Sequence, residues 1–150
     1  MSNLIEKKYI QEVSKLEEAL MNSDDPRVLK GKKTELVAPL NHNFCHGIYV
    51  REMFLKKGSC LIGKIHKHDH VWFLMKGSLL IATQDGTTKV EAPFYSMSNA
   101  GTKRVGYALE DCLFINVCPN PDNKTDIEEL EKDIVVDNYK EYEQFLINNK

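Results

Sequence analysis

Apolar residues at the start of the chain recur with the period of a helix. Between residues 3 and 22 they fall every three or four positions, which predicts an amphipathic helix with one apolar side. The turn-forming sequence Asn-Ser-Asp-Asp-Pro at residues 22–26 ends this pattern. The apolar side needs a surface to cover, either the rest of this chain or a second subunit. It consists of Ile5, Tyr9, Val13, Leu16 and Leu20.

A different pattern occupies residues 36–117, where short apolar or β-branched runs are separated by turn sequences such as Asp85-Gly86. Successive strands with tight turns and no helix between them predict a β-sandwich or a small barrel. We expect the last two strands to form a hairpin around Glu110 and Asp111. The predicted strands are residues 48–55, 59–66, 70–75, 78–83, 87–93, 94–98, 103–109 and 112–117.

Helical patterns return after Pro119. Thr125 followed by Glu128 predicts a capping box at the start of one helix, and residues 139–150 predict a second helix. The chain therefore divides into three parts. These are an N-terminal helix and linker at residues 1–35, a β-barrel at residues 36–118 and a C-terminal helical extension at residues 119–150.

Length and composition indicate one folded domain with an ordinary core. The chain has 150 residues, of which 42% are hydrophobic and 28% are charged. A net charge of -2 gives no basic field that would attract nucleic acid or an anionic membrane, and no apolar run is as long as a bilayer span. The first residues contain no signal-peptide core, so we expect a cytoplasmic protein with reduced cysteines.

Three histidines alternate at His66, His68 and His70, directly before an apolar run. Because side chains on a strand alternate between two faces, residues 64 and 66 share one face. We expect residues 67–69 to turn and the next strand to return beside the first. This arrangement brings His66 and His70 together in the barrel interior, while His68 lies in the turn with access to solvent. Two converging imidazoles provide two of the three ligands of a facial metal site.

The spacing around these histidines resembles the first motif of the cupin superfamily, G-x5-H-x-H-x3,4-E-x6-G. Gly58, His66 and Gly77 fall in register with that motif. Lys64 stands at the position of its first histidine, and His70 stands at the position of its glutamate.

The second cupin motif, G-x5-P-x-G-x2-H-x3-N, is matched less closely. Gly101 matches its second glycine, and Arg104 stands at its histidine position. The sequence at residues 100–111 also resembles uncharacterised cupin-like proteins of tailed bacteriophages. The likeness spans residues 47–117. It implies a mainly β, cupin-type jelly-roll barrel (a double-stranded β-helix), with the helical extensions outside it.

The resemblance implies a divalent transition metal (Fe, Ni, Zn or Mn) held by His66 and His70. A third donor would come from His68, if the turn shifts its register, from Cys118 on the last strand, or from His42 or His46 in the preceding segment. Lys64 and Arg104 oppose a metal, because their charged groups have no lone pair and repel a cation. A pocket without any metal therefore stays an equal alternative.

The same residues also suit a small anionic ligand. Lys64, His66, His70 and Arg104 would together make a positive pocket, and the planar fork of arginine suits phosphate or carboxylate. The rings of Trp72 and Tyr107 supply stacking faces for such a ligand.

Two functions remain open. The first is a binding protein for a nucleotide-like or phosphorylated molecule. The bacteriophage resemblance implies that such a protein sequesters or intercepts a host nucleotide signal in the host cytoplasm. The second is a metal-dependent enzyme of the isomerase or dioxygenase type that uses His66 and His70 as ligands. In both cases we expect a homo-oligomer, with the N-terminal apolar stripe and the tyrosine-rich C-terminal helix as interface candidates.

Overall fold

A computed structural model describes residues 2–150, with side chains from residue 4 onward. Within that range, three α-helices lie outside a region of short strands. The helices are α1 (Ser2–Met21), α2 (Ile127–Ile134) and α3 (Tyr139–Asn148). The strands are β1 (Leu40–Cys45), β2 (Ile48–Leu55), β3 (Cys60–Ile62), β4 (Ile65–His66), β5 (His70–Lys76), β6 (Ser78–Thr83), β7 (Gly86–Glu91), β8 (Phe94–Ser98), β9 (Val105–Ala108), β10 (Cys112–Pro119) and β11 (Val135–Val136).

Two antiparallel sheets face each other and form a jelly-roll barrel. The larger sheet has the order β1-β2-β10-β5-β8, and the smaller sheet has the order β3-β9-β6-β7. Most predicted strands are confirmed, three of them with the predicted bounds (β2, β6 and β8). The sequence patterns did not predict β1 or β11. The short runs of these two strands carry little of the periodicity that identifies a strand.

The core lies between the two sheets because side chains alternate along the strands. Every second residue of β10 is buried, and β5 alternates in the same way over its first five residues. Trp72 stacks on Phe114 with ring centroids 5.2 Å apart. Leu79 and Ile81 reach the same cluster from the opposite sheet. This packing holds the two sheets together at a fixed separation.

The predicted hairpin around Glu110 and Asp111 is wrong. Strand β9 pairs with β3 and β6 in the smaller sheet, whereas β10 pairs with β2 and β5 in the larger sheet. The two acidic residues accept hydrogen bonds that hold a crossing between the sheets. Asp111 Oδ1 accepts from the Lys57 backbone N–H at 2.9 Å, and Glu110 Oε2 accepts from Ser78 Oγ at 2.9 Å.

The predicted strand at residues 59–66 is interrupted at Gly63. The backbone N–H of Gly63 donates to the carbonyl of Arg104 at 2.8 Å, and a Cβ at this position would lie 3.3 Å from the same oxygen. The second half, β4, then pairs with β11 of the C-terminal extension and not with β5. The C-terminal extension therefore completes the barrel wall beside His66.

Helix α1 packs on the barrel of its own chain. Val13 is buried, and the Tyr9 hydroxyl donates to the carbonyls of Ala82 and Lys103 at 3.0 and 2.8 Å. Part of the predicted apolar stripe is thus covered within the chain. In the part of the chain that the structure describes, no helix is long and apolar enough to cross a membrane.

Helix α2 begins one residue later than the predicted capping box. Its N-cap is Asp126, whose carboxylate accepts from the Glu129 backbone N–H, so Thr125 and Glu128 do not form the cap. Leu130 and Ile134 of this helix are buried against the barrel.

A buried lysine joins all three parts of the chain. Lys103 is 1% exposed, and its Nζ lies 2.6 Å from Glu17 Oε1 of α1. The same Nζ donates to the carbonyl of Asp137 in the C-terminal extension at 2.8 Å. This residue had no predicted role. Its ion pair and hydrogen bond offset the cost of burying the charge.

Candidate functional site

A cavity of about 100 Å³ lies between the two sheets. Its apolar walls come from both sheets, and its polar groups gather on one side. The apolar lining includes Met53, Leu55, Leu61, Leu79, Ile81 and Phe114. The polar lining includes Arg51, Lys64, His66, Thr102, Arg104 and Asn116. Pockets for drug-sized ligands usually measure about 300–1,000 Å³, so this cavity holds a smaller group.

Arg104 enters the cavity from the segment just before β9. Its Nη1 donates to Ser98 Oγ at 2.6 Å, and its Nη2 lies 3.2 Å from His70 Nε2. The guanidinium carbon lies 5.7 Å from the centroid of the Trp72 ring. Burial lowers the pKa of Arg104 to about 10, so the group is charged at neutral pH. Among the described residues, no carboxylate pairs with it.

His66 and His70 converge as expected, although they lie on strands that do not pair with each other. Their rings stack with centroids 3.8 Å apart and planes 21° apart, and the residues are 7% and 5% exposed. Burial and the neighbouring His70 lower the pKa of His66 to about 2. Burial and Arg104 lower the pKa of His70 to about 4. Both imidazoles are therefore neutral at pH 7 and add no positive charge, contrary to the sequence prediction.

The contacts of the two imidazoles indicate where the proton of His70 lies. Since an arginine can only donate, Arg104 donates to His70 Nε2, and the proton of the neutral ring is on Nδ1. That Nδ1 and Asn116 Oδ1 are both buried without a hydrogen bond of good geometry among the described residues. The Asn116 side chain and the His68 backbone nevertheless lie close enough to His70 to raise its pKa in part. Cys118 Sγ lies 3.8 Å from His66 Nδ1, and burial raises the pKa of this thiol to about 11. The neutral thiol contacts Nδ1 as a weak donor or a weak acceptor, depending on the tautomer of His66.

The rim of the cavity is formed with the C-terminal extension. Glu131 of α2 lies 3.7 Å from both Arg51 and Lys64, and Asp137 lies 3.3 Å from Lys64. The Lys64 side chain is 49% exposed, so it belongs to the rim and its charge is compensated. Arg51 is more deeply placed, with a side chain that is 20% exposed. Two of the three arginines in the chain therefore line this cavity.

Seven of the predicted site residues lie outside the cavity lining, His42 and His46 among them. His70 and Cys118 lie behind it, in contact with Arg104 and His66. The other three are Trp72, Tyr107 and His68. Trp72 is 6% exposed and belongs to the core, where it lies below the guanidinium of Arg104. Tyr107 is 43% exposed on the outer side of β9, because its neighbours Gly106 and Ala108 take the inward positions. His68 is exposed in the turn, with its ring edge-on to Phe145 at 5.9 Å. None of the three is placed to stack on or ligate a group in the cavity.

Three residues at the cavity were missed by the sequence interpretation: Arg51, Asn116 and Glu131. The first two had a readable signal. Arg51 alternates with the inward-facing Met53 on β2, and Asn116 alternates with the inward-facing Phe114 on β10. Glu131 had no such signal, because its position depends on how α2 docks against the barrel.

The predicted metal ligands do not fit a resident divalent metal. Within the described residues, no three or more His, Cys, Asp or Glu side chains are grouped to hold an ion. The Nε2 of His70 faces the guanidinium of Arg104, and Cys118 is a neutral thiol. The positive charges of Arg51 and Arg104 also act on His66, the second imidazole, and would repel a metal cation.

Comparisons with known proteins bear on the fold. No family model matches this sequence, and no curated protein sequence matches it. The structure resembles KdgF from Halomonas sp., with a TM-score of 0.52 and 14% identity over 63% of this chain and 91% of that chain. It resembles the plu4264 protein from Photorhabdus luminescens with a TM-score of 0.51 and 10% identity, over 63% and 86% of the two chains.

A cupin-2 domain containing protein from Shewanella frigidimarina superposes less closely. Its TM-score is 0.47, with 16% identity over 65% of this chain and all of that chain. At such identities a likeness concerns the fold alone. Together with the two facing sheets and the helices at both ends, the likeness to KdgF and plu4264 confirms the predicted mainly β, jelly-roll barrel with helical extensions.

Proposed function

We propose that the protein binds a small anionic molecule in its barrel, with Arg104 receiving the negative charge. One observation carries this proposal: a largely buried guanidinium lines a cavity and has no carboxylate partner among the described residues. Burying a charge costs several kcal/mol unless an opposite charge compensates it. An anion from solution would supply the missing partner.

The chemistry of the cavity suits an oxyanion head group such as phosphate or carboxylate. Arginine has five N–H donors, and hydrogen bonds to Ser98 and His70 engage two of them. Arg51, which also lines the cavity, adds a second positive charge. The amide of Asn116 also lines the cavity, which suits a ligand that carries an O–H as well, such as hydrogen phosphate or a hydroxy acid.

The size of the cavity limits how a larger ligand would bind. A volume of about 100 Å³ holds a phosphate or a carboxylate but not a whole nucleotide. On this proposal, a nucleotide-like ligand places its phosphate beside Arg104 and extends outward past Lys64. A phage-encoded protein of this kind would sequester a host nucleotide signal in the host cytoplasm. We also propose that the protein forms a homo-oligomer.

The alternative is a metal-dependent enzyme of the isomerase or dioxygenase type. The convergence of His66 and His70 favours it. The guanidinium that hydrogen-bonds to His70 opposes it, because that contact uses a lone pair that a metal would need. Anion titration and metal analysis of one purified preparation distinguish the two functions.

Calorimetric titration of untagged protein with inorganic phosphate, small carboxylates and nucleoside monophosphates tests the proposal. We expect at least one of these anions to bind, and Arg104→Met to weaken its binding on the order of 100-fold. Arg27→Met is the matched control, because the Arg27 side chain is 88% exposed and does not line the cavity. Binding by the control should equal that of the wild type.

Metal analysis of the same preparation gives the opposing outcome. A stoichiometric metal that is lost in the His66→Ala, His70→Ala double variant would support the enzyme and overturn the binding protein. Failure of the wild type to bind any of the tested anions would also overturn the proposal.

A further inference from the structure

The outer face of the five-stranded sheet carries an apolar surface. Strand alternation buries one set of side chains in the core and turns the other set outward. Eleven of the outward side chains are apolar, and we call them the outer face. They are Ile48, Val50 and Phe54 on β2, Val71, Phe73 and Met75 on β5, Tyr95 and Met97 on β8, and Leu113, Ile115 and Val117 on β10.

The register of the strands makes this surface continuous. Cross-strand partners form one row of Met97, Val71, Val117 and Val50. A second row contains Tyr95, Phe73, Ile115 and Glu52. Within the second row, the rings of Phe73 and Tyr95 lie 5.7 Å apart. The only charged group in these rows is Glu52, whose carboxylate accepts a hydrogen bond from Asn41 at 2.6 Å.

The outer face is open to solvent in the single chain. Its most exposed side chains are Ile48, Phe54, Met75, Tyr95 and Met97, which are 40%, 47%, 53%, 62% and 70% exposed. Soluble monomers rarely expose apolar patches larger than a few hundred Å². A surface of this composition, rich in Phe, Tyr and Met, is typical of the centre of a protein interface.

We propose that two copies of this chain associate through the outer face. Its area supports a dimer. If each large side chain has a full surface of about 200 Å², the five most exposed ones present roughly 500 Å². The six partly buried ones bring the total near the ~800 Å² per partner of a standard interface.

A second copy fits this surface better than a charged partner would. Because the rows are almost free of charge, an identical face is complementary to them without any matching of opposite charges. The cavity and Arg104 lie on the other side of the same sheet, so the dimer does not depend on the proposed ligand.

The terminal helices offer a weaker surface than the sequence suggested. Tyr9 and Val13 of α1 are already occupied by the barrel of their own chain. Ile5 on α1 and Ile147 on α3 remain 58% and 61% exposed, and we use them as controls.

Sedimentation equilibrium of the untagged protein tests the dimer. We expect the wild type to be dimeric at micromolar concentrations, and Tyr95→Glu, Met97→Glu to raise the dissociation constant on the order of 100-fold or more. The control Ile5→Glu, Ile147→Glu should leave it unchanged. A single Met97→Lys variant provides a milder change if the double variant folds poorly, and circular dichroism verifies folding in each case.

Three results would overturn the proposal. One is a wild type that is monomeric at all concentrations. The second is a dimer that the helix variants disrupt and the outer-face variants do not. The third is a monomer whose outer face binds vesicles of anionic phospholipid. Phosphate titration of the monomeric variant tests the dimer and the anion site independently. Phosphate should still bind in the cavity when the dimer is lost.

Discussion

Two neighbouring cations, Lys103 and Arg104, lie in very different surroundings. Consecutive residues of an extended segment point in opposite directions. Lys103 lies beneath the terminal helices, where Glu17 and the carbonyl of Asp137 receive its charge. Arg104 enters the cavity, where its partners are the neutral groups of Ser98 and His70.

This difference separates a cation that stabilises the fold from one that is available to a ligand. The charge of Lys103 is used within the chain, because it links α1, the barrel and the C-terminal extension. The charge of Arg104 lacks a compensating anion among the described residues and therefore favours an anion from outside. Lys103 is fully buried and Arg104 is partly buried, so both charges are shielded from water and their different partners distinguish the two roles.

The largest effect should come from removing the buried lysine. Lys103→Met leaves Glu17 without its partner and the Asp137 carbonyl without its donor. Removing one partner of a buried pair costs about 3–5 kcal/mol, and we expect about 3 kcal/mol here because the Glu17 side chain is 32% exposed. Urea denaturation measures the free energy of unfolding. A loss below about 1 kcal/mol would show that Lys103 is not a structural link.

The same substitution at the neighbouring Arg104 should weaken anion binding and leave the stability of the fold nearly unchanged. Arg104→Met removes a largely buried, uncompensated charge, but it also removes the hydrogen bonds to Ser98 and His70. Because these two effects have opposite signs, we expect the free energy of unfolding to change by less than about 1 kcal/mol. We expect anion binding to fall on the order of 100-fold, which is about 2.7 kcal/mol. Denaturation and calorimetry on the same preparation measure both quantities. A large loss of stability with unchanged binding would reverse the assigned roles.

The histidine pair should make stability depend on pH. The folded-state pKa values of His66 and His70, about 2 and about 4, lie below the ordinary value of 6.5. As the pH falls through 6.5, the unfolded chain takes up protons that the folded chain does not, so the free energy of unfolding decreases. Each histidine contributes at most about 1.4 kcal/mol per pH unit, and we expect about 2 kcal/mol in total between pH 7 and pH 5.5.

Urea denaturation at several pH values measures this slope, and a His66→Gln, His70→Gln variant serves as the control. The difference between wild type and variant isolates the two imidazoles from the carboxylates of the chain. An identical slope in both proteins would contradict neutral, buried imidazoles.

The sequence predicted the barrel better than its connections. Strands such as β2 and β6 have clear apolar alternation and definite turns, so their bounds agree with the prediction. The pairing of β4 with β11 depends on contacts between distant parts of the chain, which local patterns do not contain. The hairpin at Glu110 was wrong because an acidic pair can hold a crossing between sheets as well as a turn.

The same limit applies to the candidate site. Spacing placed His66, His70 and Arg104 in one cluster, since alternation and motif register describe which face each residue occupies. Spacing alone could not show that burial keeps both imidazoles neutral, nor that Trp72 lies in the core. Those properties arise from packing between the two sheets.

The smallest effect should come from a substitution at the rim of the cavity, which changes anion binding only slightly. Glu131 lies 3.7 Å from both Arg51 and Lys64, and its carboxylate competes with an incoming anion for these charges. Glu131→Gln should therefore tighten anion binding about fivefold, which corresponds to the ~1 kcal/mol of a partly exposed ion pair. Calorimetry measures the change. Glu129→Gln on the same helix is the control, since Glu129 pairs with Lys132 instead. Weaker binding by Glu131→Gln would show that the carboxylate supports the ligand.

A crystal structure of the protein grown with selenate tests the central claim most directly. Selenate has the shape of phosphate and a strong anomalous signal that marks its position. We predict one selenate in the cavity within hydrogen-bond distance of the Arg104 guanidinium, and no such peak in Arg104→Met crystals grown in the same way. Selenate bound only to exposed lysines, with the guanidinium of Arg104 contacting protein groups alone, would contradict the account.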